Sequence, residues 1–223
     1  MIPITILDNF LENPDEIVNF ALSLNYSSDP NNRWPGQRTN VLRDINPYFA
    51  QYIESKILSI FIPLDRSVSY ESTSNFQLIE NLPHNGWIHS DSPNQITSII
   101  YLNKDTNKKC GTSLYKQKSY FPIENPQDKK LVDSTRSQHH QNNTLTQPQL
   151  QEKLNWENKH FTKIQEVNNS YNRLFCFPSN IPHSATKFTS NSTSPRLTLV
   201  TFFKNIISPI PFPLNRVNNI PPF

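Results

Sequence analysis

Residues 86–103, GWIHSDSPNQITSIIYLN, set a histidine and an aspartate two residues apart just ahead of a run apolar enough to be a buried strand. In extended chain, side chains two residues apart point the same way, so His89 and Asp91 can aim at one point while Ser90 faces away. Two histidines and one carboxylate on one face of an octahedral ion form a known metal-binding set, and this pair supplies two of the three. A His-x-Asp pair is common by itself. Its weight depends on a third ligand elsewhere in the chain.

The chain has six histidines, at 84, 89, 139, 140, 160 and 183. His139 and His140 sit in polar sequence without periodicity, and His84 lies beyond a proline. His160 opens a β-prone run with no pocket-forming features nearby. Each of these four reads more simply as structural or exposed. His183 differs, because it follows the strand-like RLFCF and the turn PSNIP and precedes SATKF, which places it at a strand end.

After the turn-rich TSNSTSP, Arg196 opens the apolar run RLTLVTFF. An arginine facing into a β core calls for an anion, since leaving a buried charge unpaired costs about 3–5 kcal/mol. Thr198 falls on the same strand face as Arg196 and can share that anion through its hydroxyl. A guanidinium beside a hydroxyl suits a carboxylate.

Outward from these runs, the pattern divides the chain in two. Residues 2–7 alternate weakly as a first strand. Asn13, Pro14, Asp15 and Glu16 then form a helix start ahead of the stripe Ile17, Phe20, Ala21 and Leu24. Asn46-Pro47 opens a second helix carrying Phe49, Ile53, Ile57, Ile60 and Phe61, and WPGQRT (34–39) reads as a turn-rich connector between the two. From residue 69 the period shifts towards two, through SNFQLIEN, QITSIIYLN, TSLYKQ, FTKIQEV, RLFCF and RLTLVTFF.

The expected fold class is α+β: one domain over 1–223, with helical support over 1–68 and a sandwich or barrel core over 69–205. An unpatterned insertion at about 122–158 is expected to carry a short helix around 150–156. The proline-rich tail 206–223 cannot extend a central strand and is expected to wrap the domain.

Bulk composition excludes several classes. Lys plus Arg number 21 and Asp plus Glu 18, an excess too small to indicate a nucleic-acid partner. Cys110 and Cys176 stand far apart without C-x-x-C spacing, so neither a disulfide framework nor a zinc knuckle is indicated. No stretch is long and apolar enough to span a bilayer, and the first residues lack the basic and apolar regions of a signal peptide. A soluble, cytoplasmic protein without a membrane partner is expected.

Taken together, His89, Asp91, His183, Arg196 and Thr198 resemble the 2-oxoglutarate and Fe(II)-dependent dioxygenases, whose double-stranded β-helix (jelly-roll) carries His-x-Asp, a distal His, and Arg followed two residues later by Ser or Thr. The resemblance covers about 75–203. ITILDNFLENPDEIVNFAL and WPGQRT also look like the leading segment of a little-characterised subgroup. Cys110 stands where such proteins usually have glycine.

The resemblance implies a jelly-roll with the N-terminal helices packed on one sheet. It also implies Fe(II) held by His89, Asp91 and His183, and 2-oxoglutarate held through its distal carboxylate by Arg196 and Thr198. With O2, hydroxylation of a substrate would release succinate and CO2. Tyr101, Gln77 and Tyr115 lie on strands that would line the barrel, where Tyr101 can bond the cosubstrate, although core packing explains the tyrosines equally well. Arg38, projected by a Pro-Gly turn, is a candidate contact for the unidentified substrate, a small molecule or a protein side chain. The rival readings are a cupin-like metal-binding jelly-roll without turnover, serving as a binding or structural module, and a metal-dependent enzyme that uses no 2-oxoglutarate.

Overall fold

The structure, a computed structural model, describes residues 3–29, 34–63, 67–79, 86–104, 110–118, 146–187 and 195–209. His84, His139, His140, most of the expected insertion and the tail from residue 210 lie outside the described residues.

In chain order the elements are β1 (Thr5–Leu7), α1 (Pro14–Leu22), β2 (Ser27–Ser28), β3 (Gln37–Arg38), α2 (Leu42–Ile45), α3 (Pro47–Leu58) and β4 (Ser69–Ile79). There follow β5 (Ile96–Tyr101), β6 (Thr112–Gln117), α4 (Gln147–Asn158), β7 (Phe161–Val167), β8 (Arg173–Pro178), β9 (His183–Ala185) and β10 (Arg196–Ile207). The strands form a seven-stranded sheet in the order β1-β8-β5-β10-β4-β3-β2 and a three-stranded sheet in the order β7-β6-β9. Their pairings are antiparallel.

Strand β10 shows why the layers form. Its odd-numbered Leu197, Leu199 and Phe203 join Phe76, Ile96, Ile100 and Leu174 in one apolar cluster with Ala50, Ile53 and Ile57 of α3 and Ala21 of α1. Its even-numbered Arg196, Thr198, Val200 and Phe202 take the opposite face. On that side Ile99, Tyr101, Phe175 and Phe177 of the large sheet pack against Leu114 and Val167 of the small one, so the two sheets share a second core.

Helix starts follow the expected chemistry in part. Asn46 caps α3 by accepting the Phe49 N–H at 3.0 Å, with Pro47 in the first turn. Asn13 precedes Pro14 as expected but makes no side-chain cap. The helix expected near 150–156 is α4, whose capping box joins Thr146 and Gln149.

Two expectations change. The connector 34–39 is not merely a turn, because its Gln37 and Arg38 pair with Leu78 and Gln77 of β4 and widen the large sheet. Gly36 makes this possible. Its φ is +72°, and a Cβ there would stand 2.4 Å from the Leu78 carbonyl oxygen. The tail expected to begin at 206 instead starts as strand, since β10 runs to Ile207 through a register shift after Lys204. Asn205, at φ 52°, absorbs the irregularity, and the next proline comes only at Pro209, so these residues keep their N–H donors.

The inner face of α3 carries a charged group the apolar pattern did not announce. Glu54 is fully buried and accepts from Arg43 Nη2 at 2.6 Å and from Ser74 Oγ at 3.0 Å, and Ser74 Oγ lies 3.0 Å from Thr201 Oγ1 on β10. Replacing Arg43 by alanine strands the carboxylate and is expected to lower the free energy of unfolding in urea by about 2–3 kcal/mol. Adding Glu54→Leu to that variant should recover part of the loss.

Candidate metal centre

Residues 86–91 belong to no extended strand, contrary to the expectation that His-x-Asp ends one. A single antiparallel bridge holds them: His89 N–H donates to the His183 carbonyl at 3.0 Å, and His183 N–H donates back at 2.8 Å. Asp91 N–H donates to the Ser179 carbonyl at 2.8 Å. The turn between β8 and β9 thus fixes both ligand-bearing backbones. Ser90, expected to face away, lies exposed at the rim of the cavity described below.

The side chains converge. Metal-ligating atoms of His89, Asp91 and His183 all lie within 4.8 Å of one another. His89 Nδ1 is 2.9 Å from the Trp87 carbonyl oxygen, and His183 Nδ1 is 2.9 Å from that of Ile181. A carbonyl can only accept, so each Nδ1 carries a proton and each Nε2 is turned inward. There His183 Nε2 lies 3.1 Å and His89 Nε2 3.6 Å from the Asp91 carboxylate. With neutral rings, lone pairs of all three groups face one another, an arrangement that a cation at their centre stabilises.

Asp91 is suited to remain ionised. Burial pushes its carboxyl upward, but His183 and His89 when protonated, together with the hydroxyl of Thr97, hold it well below the usual carboxylate range. Thr97, which the sequence reading did not single out, donates to Asp91 Oδ2 at 2.8 Å and lies 2.9 Å from Ser179 Oγ. Its parity with Ile99 and Tyr101 on β5 was the available signal. His160 packs its ring on Trp156 at 5.3 Å and is not part of the cluster.

A cavity of about 540 Å³ joins this trio to Arg196. Arg196 is 8% exposed, its Nε donates to the Cys110 carbonyl at 3.0 Å, and its guanidinium lies 5.5 Å from the centre of the Tyr101 ring. Burial pulls its pKa down from the ordinary arginine value, against the opposing influence of Tyr101 and Cys110. No carboxylate among the described residues forms an ion pair with it.

Thr198 Oγ1 is fully buried and has no hydrogen-bond partner among the described residues, a costly state for a hydroxyl unless a ligand completes it. Gly111 sets the Cys110 carbonyl in place, since a Cβ at 111 would stand 1.8 Å from the Val167 carbonyl oxygen.

The other candidates divide. Gln77 and Arg38 line the cavity, Gln77 donating to the Pro35 carbonyl at 2.9 Å. Tyr101 does not line it. Its hydroxyl donates to Thr112 Oγ1 at 2.8 Å, and Thr112 is the lining residue. Tyr115 is also outside the lining, 3.4 Å from Ser184 Oγ.

Solved structures that share this arrangement of sheets and helices include a prolyl hydroxylase and a protein solved with iron and with 2-oxoglutarate bound. A prolyl hydroxylase from Trichoplax adhaerens, in complex with a hypoxia inducible factor oxygen degradation domain peptide fragment, matches over 90% of this chain and 82% of its own, with TM-score 0.51 and 16% identity. HygX from Streptomyces hygroscopicus, with nickel, 2-oxoglutarate and hygromycin B bound, matches over 91% of this chain and 83% of its own, with TM-score 0.53 and 12% identity. At such identities the likeness is one of fold. By sequence the chain belongs to DUF6445, a family of unknown function, whose model matches residues 1–203. No curated protein matches the sequence significantly.

Thr97 offers a direct test of the centre. Thr97→Val is expected to weaken Mn(II) binding roughly 10-fold or more by isothermal titration, as loss of a ligand's supporting hydrogen bond does, while Thr97→Ser stays near wild type.

Proposed function

We propose that this chain is a non-haem Fe(II) and 2-oxoglutarate-dependent oxygenase that hydroxylates an as yet unidentified substrate, releasing succinate and CO2. The observation that carries this reading is the pairing, in one cavity, of a convergent His-Asp-His face with a buried arginine that has no carboxylate partner among the described residues. A metal scaffold alone has no use for the second feature. The two sheets sharing an apolar interior support reading the core as a double-stranded β-helix, within one domain whose α1 and α3 cover the outer face of the larger sheet.

His89, Asp91 and His183 would hold Fe(II) and leave the cavity side open to cosubstrate and O2. Bound there, the iron would couple oxidative decarboxylation of 2-oxoglutarate to oxidation of a substrate C–H bond. Arg196 receives the distal carboxylate of 2-oxoglutarate, and Thr198 donates its hydroxyl to it. Tyr101 positions Arg196 by setting its ring against the guanidinium and holds Thr112 at the wall. The backbone acceptors at Trp87 and Ile181 keep both imidazoles in the tautomer that presents Nε2.

Arg38 is the substrate-contacting residue of this reading. No described helix is long and apolar enough to cross a membrane, and the free, buried Cys110 and Cys176 are in keeping with a reducing, cytoplasmic setting.

Calorimetric titration of the Mn(II)-loaded protein with 2-oxoglutarate tests the assignment. His183→Ala and Asp91→Ala are expected to bind no metal while keeping the wild-type circular dichroism. Arg196→Ala should keep its metal affinity and lose at least about 10-fold in 2-oxoglutarate affinity, the worth of a charge-assisted hydrogen bond. Stoichiometric metal in both ligand variants, or unchanged cosubstrate affinity in Arg196→Ala, would overturn these roles.

A further inference from the structure

Helix α4 meets the site through a single leucine. Of its described side chains the one buried apolar group is Leu154, which packs with Trp87 in a small cluster separate from the two main cores. Its neighbours along the helix, Lys153 and Asn155, are exposed, and Trp156 is half exposed. A helix of 12 residues is marginal in water without tertiary packing. Among the described residues, the Leu154–Trp87 contact is therefore the main apolar tie of the helix body. The C-terminal end is joined separately to the end of β6, where Lys118 N–H donates to the His160 carbonyl at 2.9 Å and Lys118 Nζ to the Lys159 carbonyl at 2.7 Å.

Trp87 belongs to a segment that is itself closely held. Gly86 lies so near β9 that a Cβ there would stand 3.0 Å from the Ala185 nitrogen and 3.2 Å from its carbonyl oxygen. Three residues on, the reciprocal backbone bonds fix His89 to His183. Between these points the Trp87 indole lines the cavity, and the Trp87 carbonyl lies 2.9 Å from His89 Nδ1. One residue thus supplies a cavity wall with its ring and the orientation of a metal-ligating imidazole with its backbone.

We infer that Leu154 is a positioning residue: packed on Trp87, it couples the docking of α4 to the orientation of His89, and so to metal binding. This rests on the metal-centre reading above. The link is short. The Trp87 carbonyl is part of a rigid planar peptide unit, so a backbone rotation that lets the indole follow a displaced helix also turns the carbonyl away from Nδ1. The His89 ring would keep its place on the backbone bridge and lose the acceptor that aims Nε2 at Asp91 and His183. The coupling is reciprocal, because an ion that fixes His89 favours the Trp87 conformation on which Leu154 docks.

Calorimetric titration of the full chain with Mn(II) tests this. Leu154→Ala leaves a void beside the indole and is expected to bind Mn(II) about 5-fold more weakly, less than the loss caused by removing a ligand's own hydrogen-bond partner. Leu154→Met, which nearly conserves volume, should stay close to wild type. Trp156→Ala, on the exposed side of the same helix, should bind Mn(II) as the wild type does.

A second measurement needs no variant. Hydrogen exchange read by mass spectrometry reports the local opening of α4. In the wild type, saturating Mn(II) is expected to slow exchange across 147–158 by about the same 5-fold factor, since linkage is reciprocal. In Leu154→Ala at saturation, that slowing should disappear.

Wild-type Mn(II) affinity in a folded Leu154→Ala overturns the proposal, as does α4 exchange that Mn(II) leaves unchanged in the wild type. An equal loss of affinity in Trp156→Ala also overturns it, because the effect would then belong to the helix as a whole. Failure of the wild type to bind Mn(II) instead removes the metal-centre reading.

Discussion

The reciprocal backbone hydrogen bonds between His89 and His183, 3.0 and 2.8 Å long, tie a segment that lies outside the regular strands to the first residue of β9. Residues far apart in sequence thereby meet as neighbours, and their imidazole centroids come within 4.5 Å. The Asp91 N–H, donated to the carbonyl of Ser179 immediately after the end of β8, sets the third candidate ligand relative to the other two. Without this clamp the three side chains would sit on independent loops, and each would lose conformational freedom on binding an ion. With it, that ordering is accomplished by folding.

Strand β10 connects this centre to the rest of the molecule. One face supplies leucines and Phe203 to the core under α1 and α3. The other supplies Arg196, Val200 and Phe202 to the cavity, with Thr198 buried beside them. A shift of one residue in its register would exchange the two sets, putting a guanidinium under the helices and leucines against the metal site. Pairing on both sides, with β4 and β5, prevents this. A buried arginine and a buried hydroxyl without a partner among the described residues are destabilising where they stand, which is expected of groups retained for a ligand rather than for folding.

Much of this was legible in the sequence, for identifiable reasons. Period-two alternation marked β4, β5, β7, β8 and β10, because strands packed between two layers must separate their faces. His89, Asp91 and His183 were legible as residue types beside strand-like runs, although only His183 lies on a strand, and the structure brings all three together. Arg196 and Thr198 followed from parity on one apolar strand. Long-range pairing was the missing information. Nothing in WPGQRT signals that Gln37 and Arg38 pair with β4, because a two-residue strand has no periodicity of its own. The supports of the site also escaped: Thr97 is one of many threonines until Asp91 is seen beside it, and Cys110 contributes a backbone carbonyl that any residue could supply. The burial of Glu54 had no signal in the sequence, because its partners, Arg43 and Ser74, come from separate elements.

The central claim is that one cavity brings an Fe(II)-binding face and a carboxylate anchor together so that 2-oxoglutarate bridges them. Anaerobic addition of 2-oxoglutarate to the Fe(II)-loaded protein, followed by visible absorption, tests this most directly. A weak charge-transfer band that saturates at one equivalent, and is absent when either component is omitted, is the predicted result. Fully folded protein that retains Fe(II) yet develops no such band on saturation with 2-oxoglutarate would contradict the account.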